Sequence, residues 1–244
     1  MELNTTDAAA DAKRLYTRLF GWDYLDNPMG PDMIYSTCQI NGKSAGALYE
    51  THDPNNPPYW DLYICVESAE ATAARAKDLG ANVLMGPVDV MEYGSMAVLA
   101  DPTGAKICLW EPKQPVGYEA VRGPGTHCWS ELLVKDPAKA KAFYGELFGW
   151  IADESMGDYT MFKPGNDAMA IAGLMGMTPE MGPMPPIWTP YFSVDNADAT
   201  VEIAKANGCR ALHGPKDVPG MVRFANIMDP AGAMFGVFHP LAKP

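Results

Sequence analysis

The chain is written twice, and no other feature constrains its fold as tightly. Residues 12–22 read AKRLYTRLFGW and residues 140–150 read AKAFYGELFGW, a displacement of 140 − 12 = 128. The same displacement, 188 − 60 = 128, relates residues 60–90 to residues 188–218, where 14 of the 31 aligned positions are identical. It returns at Asp101-Pro102-Thr103-Gly104 against Asp229-Pro230-Ala231-Gly232. A match sustained over about a hundred residues far exceeds the units that build solenoids, so it marks two copies of one domain. Each residue therefore has a twin against which it can be compared.

A length of 244 residues gives each copy roughly 120 residues, enough for its own core. With 48% hydrophobic and 20% charged residues, the chain has the makeup of an ordered globular protein. A net charge of −12 argues against sequence-independent nucleic-acid binding, which needs clustered Lys and Arg. The five cysteines (Cys38, Cys65, Cys108, Cys128, Cys209) form no CxxC pair. The twins of Cys65, Cys108 and Cys209 are Ser193, Gly236 and Ala81, so these thiols read as small buried groups in a reducing compartment. The first residues lack the basic and apolar regions of a signal peptide, and no apolar run reaches the roughly 20 residues of a spanning helix. The expected partner is a small molecule, with no nucleic acid and no membrane, for a cytoplasmic monomer or homodimer.

Each copy opens with an amphipathic helix. Ala12, Leu15, Tyr16, Leu19 and Phe20 follow the i, i+3, i+4, i+7, i+8 rhythm, as do Ala140, Phe143, Tyr144, Leu147 and Phe148. Gly21 and Gly149 sit where a helix stops, and Asp7 and Asp136 where one is capped, the latter followed by Pro137. A second helix is predicted over 69–79 and 197–207, capped by Ser68 and Asn196 and stopped by Gly80 and Gly208. The short apolar or alternating runs between, among them Leu62–Val66, Met96–Ala100 and Ile107–Trp110, read as strands. The expected domains are residues 1–112, with a truncated first strand, and residues 125–244, joined by a Pro- and Gly-rich linker at 113–124.

This grammar, with FYxxLFGW in the first helix of the second copy and DPxG before the last strand of both, resembles the vicinal-oxygen-chelate superfamily, the glyoxalase, bleomycin-resistance and extradiol-dioxygenase group. The resemblance covers nearly the whole chain, twice. It implies an α+β fold: a tandem duplication of a glyoxalase-like domain, each copy two paired βαβββ modules whose curved mixed sheets form a cup. It also implies positions for metal ligands. The first falls on Trp129 in copy two and before the chain in copy one. The second falls on Asp61 and Thr189, the third on Cys108 and Gly236, and the last near Gly46 and Gly173. Neither copy offers the three N, O or S ligands that a catalytic metal centre usually has, so no metal and no other cofactor is expected.

Strand alternation places Asp61, Tyr63 and Cys65 on the cup side, with Thr189, Tyr191 and Ser193 as their twins, while Leu62, Ile64 and Val66 face the helices. The last strands add Lys106, Cys108 and Trp110 to one cup and Met234, Gly236 and Phe238 to the other. The first strand of copy two adds His127, Trp129, Glu131 and Leu133, and Glu2 is the counterpart of Glu131. Trp60 and Trp188 stand at the mouths of their strands. The expected ligand-binding residues are thus Trp60, Tyr63, Trp110, Trp129, Glu131, Trp188, Tyr191 and Phe238, although such aromatics can equally fill the sheet face. Glu131 with Tyr191, or Asp61 with Tyr63, could transfer protons if burial raised the carboxylate. Cys65 and Cys108 lack an evident activating base within their own copy. Gly123-Pro124-Gly125 lies outside any strand–turn–helix context, which excludes a dinucleotide fingerprint.

The leading expectation is a metal-independent protein that holds an aromatic or apolar ligand, with copy two as the better-formed cup. The alternative is an enzyme: a cofactor-independent isomerase or lyase, or a metal-dependent glyoxalase or dioxygenase using other ligands. A third possibility is an interaction protein with vestigial cups.

Overall fold

The computed structural model describes residues 1–6, 9–30, 33–51, 57–114 and 117–241. Four modules follow one another. The first is β1 (Glu2–Thr5), α1 (Ala9–Phe20), β2 (Asp23–Gly30), β3 (Met33–Ile40) and β4 (Lys43–Glu50). The second is β5 (Tyr59–Asp61), β6 (Tyr63–Cys65), α2 (Ala69–Asp78), β7 (Asn82–Val90), β8 (Gly94–Ala100) and β9 (Lys106–Pro112). The third is β10 (His127–Val134), α3 (Pro137–Phe148), β11 (Ile151–Met156), β12 (Tyr159–Lys163) and β13 (Ala172–Gly176). The fourth is β14 (Ile187–Ser193), α4 (Ala197–Ala206), β15 (Arg210–Val218), β16 (Val222–Met228) and β17 (Met234–Pro240). In the first, third and fourth modules, and in the second from β6 onward, one strand precedes a helix and three follow it, as expected for two α+β domains in tandem.

The predicted helix boundaries agree with the structure to within a few residues. Ser68, Asn196 and Asp136 each accept a hydrogen bond from the backbone N–H three residues on, a cap that contributes about 1 kcal/mol. Gly149 ends α3 with φ +70°, a left-handed turn that favours glycine. Asp7 lies outside the described residues, as do residues 53–56 of the Pro-rich crossing. No helix among the described residues is long and apolar enough to cross a membrane.

The chain's compact units do not coincide with its two copies. One compact unit consists of Met1–Asp61, Gly117–Cys128 and Pro190–Pro244, the other of Leu62–Val116 and Trp129–Thr189. Each unit therefore takes one module from either copy, the first with the fourth and the second with the third.

In the first unit the strands run in the orders β2-β3-β4-β1-β5 and β14-β17-β16-β15. β1 is parallel to β4 and β14 to β17, while the neighbours formed by hairpins are antiparallel. Its helix-side core is aromatic. Tyr16 stacks on Trp22 at 5.8 Å and meets Trp60 edge-on at 5.5 Å, and Phe20 lies 4.5 Å from Phe192. The expected linker is bound to this unit: Glu119 N and Ala120 N both donate to Ser44 O at 2.9 Å, and Ser44 Oγ donates to Gly117 O at 2.7 Å. These bonds tie residues 117–120 to β4, three residues before Ala47, where its pairing with β1 begins at Glu2. The four-residue β1 is thus continued along β4 by chain from the linker.

In the second unit the orders are β6-β9-β8-β7 and β11-β12-β13-β10. Tyr144 stacks on Trp150 at 5.5 Å, meets Trp188 edge-on at 5.5 Å and lies 5.8 Å from Phe162.

The two motifs that announced the duplication meet inside these cores. Tyr16 Oη donates to Asp229 Oδ2 at 2.9 Å in the first unit, and Tyr144 Oη donates to Asp101 Oδ2 at 2.9 Å in the second. The other oxygen of each aspartate caps its own DPxG turn: Asp229 Oδ1 accepts from Gly232 N and Ala233 N at 2.8 Å, and Asp101 Oδ1 from Thr103 N and Ala105 N. The helix tyrosine of one copy is thereby tied to the turn aspartate of the other.

Burial raises the Asp229 carboxyl above the ordinary carboxylate range, against the pull of its hydrogen bonds. A raised acid adds stability that is full below its unfolded value, near ~4, and lost as pH rises through the folded value. The stability difference between the native chain and Asp229→Asn should therefore shrink as pH rises above about 4. Urea unfolding at each pH measures it, and a difference that grows with pH would contradict the assignment.

Candidate functional site

The faces of the sheets turned away from the helices carry the polar groups. In the second unit Glu131 on β10 stands opposite Gly173 on β13. Tyr159, on β12, reaches over that glycine: a Cβ at position 173 would stand 1.8 Å from the Tyr159 hydroxyl. Trp129 Nε1 donates to Tyr159 Oη at 2.9 Å, and Tyr159 hydrogen-bonds Glu131, whose residue is only 9% exposed. Burial, reinforced by the Glu131 charge, pushes the Tyr159 phenol well above the usual tyrosine range. Tyr159 is thus held as a neutral donor, not poised as a base.

The first module repeats this couple. Tyr35 Oη donates to Glu2 Oε1 at 2.6 Å, and burial together with Glu2 raises its phenol as well. A carboxylate on the first strand bonded to a tyrosine on the third is thus common to both copies. The sequence reading assigned Tyr191 to Glu131 and overlooked Tyr159 and Tyr35. An interior strand glycine, which marks a close approach, was the available signal at Gly173.

In the fourth module Tyr191 is fully buried and lies across Gly236, where a Cβ would stand 2.0 Å from its Cδ1. Its hydroxyl accepts from Asn226 Nδ2 at 2.7 Å, and its ring lies 4.4 Å from Phe238. In the second module Tyr63 meets Trp110 edge-on at 6.4 Å, and Trp110 covers Gly94. Tyr63, Trp110, Trp129 and Phe238 are half-buried, so a ligand could touch them.

Three expected ligand contacts are corrected. Tyr191, 0% exposed, has no face left for a ligand. Trp60 and Trp188, each 4% exposed, belong to the helix-side cores, where Trp188 Nε1 donates to Tyr144 Oη at 2.8 Å. The expected strand 62–66 is present as β6, but Asp61, expected beside Tyr63 on the same cup side, ends the separate strand β5. Asp61 and Tyr63 therefore fall in different units, and within its own unit Asp61 stands opposite Glu2 on β1. Among the thiols, burial pushes Cys209 up to about 12, which disfavours thiolate chemistry there.

The metal that the resemblance implies does not fit these residues. In copy two the positions hold an indole (Trp129), a hydroxyl (Thr189) and two glycines whose side-chain space is taken by Tyr159 and Tyr191. In copy one they hold Asp61 and the buried Cys108, and the residue opposite Glu2 is Ala47, not Gly46. Among the described residues no group of three or more His, Cys, Asp and Glu could hold an ion. A groove of about 250 Å³ beside α1 lies elsewhere in the first unit, and its two arginines are already engaged, Arg14 by Asp11 and Arg18 by Asn207.

Comparison with known proteins agrees with the fold. Residues 126–237 match the Glyoxalase/Bleomycin resistance protein/Dioxygenase superfamily model, and residues 1–110 match a glyoxalase-like domain. The chain is 37% identical to "Putative glyoxylase CFP32" of Mycobacterium tuberculosis over 98% of this chain and 93% of that one. It is 32% identical to the anthracycline biosynthesis protein DnrV of Streptomyces peucetius over 97% and 90%. Among solved structures it is similar to a Mn(II)-bound glyoxalase from Novosphingobium aromaticivorans, with a TM-score of 0.65, 15% identity and coverage of 99% and 81%. It is also similar to the 2,3-dioxygenase LapB from Pseudomonas sp. KL28, with a TM-score of 0.65, 13% identity and coverage of 100% and 91%. With two such domains in tandem and relatives matched over almost their full length, the chain belongs to the glyoxalase/bleomycin resistance/dioxygenase superfamily.

Proposed function

We propose that this protein holds an aromatic or otherwise apolar small molecule on its helix-free sheet faces and does so without a metal. One observation carries the reading: in copy two both glycines at expected ligand positions are covered by tyrosine rings or hydroxyls. Sites of this kind are built from apolar walls with a few fixed polar groups. Trp129, Tyr159 and Glu131 supply that combination, and on β14 Thr189, fully buried, has an Oγ1 without a partner among the described residues. The relative named for anthracycline biosynthesis is in keeping with an aromatic ligand. With none of its five cysteines in a disulfide, the protein would act in the cytoplasm as a monomer or homodimer, without nucleic-acid or membrane partners.

Native mass spectrometry of protein purified without chelators should show the polypeptide alone or with an organic adduct. A stoichiometric iron, zinc, nickel or manganese mass would overturn the metal-free reading. In a thermal-shift screen of aromatic compounds, a ligand at a hundred times its Kd should add about 2.7 kcal/mol of stability. The relative named as a glyoxylase favours a second reading, catalysis, with Glu131 as the proton-transferring group. Turnover of any carbonyl substrate that is lost in Glu131→Gln with the fold intact would establish it.

A further inference from the structure

The first module carries polar groups that its twin lacks. On β1 the alternation is clear: Leu3, fully buried, stands opposite Trp60 of the helix-side core, so Glu2 and Asn4 face the other way. On that face the strand registers align one row across four strands, Tyr35 with Tyr49, Tyr49 with Asn4, and Asn4 with Tyr59. The next row sets Glu2 opposite Asp61. The three tyrosines are half-buried.

Asn4 is the anomaly. Its residue is 0% exposed, yet neither Nδ2 nor Oδ1 has a hydrogen-bond partner among the described residues. A buried amide group left unpaired costs about 1–3 kcal/mol. The fold does not require it, because the third module builds the same strand pair with Leu133 opposite Met175, where the first has Asn4 opposite Tyr49. An amide kept where an apolar residue serves the twin is explained by a ligand that completes it.

We infer that the sheet face around Asn4 is a binding site for a flat ring bearing an amide or cyclic-amide edge, with Asn4 pairing to that edge between the tyrosine rings. A carboxamide side chain offers one donor and one acceptor side by side, and a ligand amide presents the complementary pair. Tyr49 and Tyr59 flank it as walls for a planar ring. Glu2 and Asp61 beside it favour a ligand with further N–H donors and disfavour a carboxylate. This inference rests on the reading of the chain as a small-molecule binder, and it narrows that reading to one face and one chemical class.

The test uses the full chain and three probes: 2-pyridone and benzamide, which carry the amide edge, and benzoate, which does not. Titrations followed through the side-chain amide resonances of uniformly ¹⁵N-labelled protein should show both amides shifting the Asn4 Nδ2 signals, with benzoate silent. In Asn4→Leu, the residue of the twin, amide affinity should fall at least tenfold while Tm stays level or rises, since an unpaired buried group is gone. Unchanged amide binding in Asn4→Leu, or no amide binding to the native chain at millimolar concentrations, would overturn the inference. A lower Tm in Asn4→Leu would also overturn it, because the amide would then have an internal structural role. Binding of apolar aromatics without any amide preference would overturn this site but leave the broader reading standing.

Discussion

Replacing Asp101 by alanine should lower the stability of the second unit by about 3–5 kcal/mol, a large part of what a domain of this size has. The magnitude follows from how many donors the one carboxylate satisfies. Asp101 Oδ1 accepts from Thr103 N at 2.7 Å, Thr103 Oγ1 at 2.6 Å and Ala105 N at 3.1 Å, and Oδ2 accepts from Tyr144 Oη at 2.9 Å. The Tyr144 oxygen in turn accepts from Trp188 Nε1 at 2.8 Å. With Asp101 at 3% exposure and Tyr144 at 0%, water cannot readily replace these bonds, so each donor bears its own desolvation cost. Tyr144→Phe should cost less, about 2 kcal/mol, because it removes one bond to Asp101 and one acceptor for Trp188 but leaves the DPxG turn capped. Asp229→Ala should fall between the two, since Asp229 has no counterpart of the Thr103 hydroxyl bond. Urea unfolding of the three variants measures the order. Equal losses for Asp101→Ala and Tyr144→Phe would show that the turn, not the tyrosine network, is dispensable.

That network also marks the limit of what the sequence discloses. The duplication, the four helices and their caps are written in local terms, in a 3.6-residue rhythm, a capping side chain and a stop glycine, and they are legible without a structure. The alternation of Tyr191 against Phe192 is legible too, and the structure places Tyr191 by Asn226 and Phe192 by Phe20. Extended one residue further, the same alternation puts Trp60 with Leu62 and Trp188 with Pro190 on the helix side, where the structure buries both tryptophans. What no local pattern discloses is the partnership of modules. Tyr16 with Asp229 lies 213 residues apart in the chain, and only the exchange of modules between copies makes them neighbours. The couples of Glu131 with Tyr159 and of Glu2 with Tyr35 were hidden for a related reason. Each joins the first strand to the third, across a middle strand, β13 in one copy and β4 in the other, whose small residue (Gly173, Ala47) leaves room for the tyrosine to cross. The orphaned amide of Asn4 was invisible as well, since an asparagine near the start of a strand signals nothing until its burial is known.

Adding a single methyl group at position 236 should be nearly as damaging as removing Tyr191. In Gly236→Ala the new Cβ would stand 2.0 Å from Tyr191 Cδ1 and 2.1 Å from Cε1, well inside van der Waals contact. The ring has no room to yield: Tyr191 is 0% exposed, lies 4.4 Å from Phe238 and is anchored through Asn226 at 2.7 Å. Overpacking of this kind costs about 3 kcal/mol or more, and Tyr191→Ala, which opens a cavity, about 3–5 kcal/mol. The two should not add. With the ring gone the methyl group has space, so Tyr191→Ala/Gly236→Ala should be no less stable than Tyr191→Ala alone, a coupling of about 3 kcal/mol. Urea unfolding of the four proteins closes the cycle, and additive losses would mean that the ring moves aside in solution. The same geometry bears on function. Gly236 is where the resemblance places a glutamate ligand, and Gly236→Glu would have to expel the same ring. A metal site therefore cannot be regained here by restoring one side chain, because the space that a ligand would use is part of the packed core beneath an aromatic face.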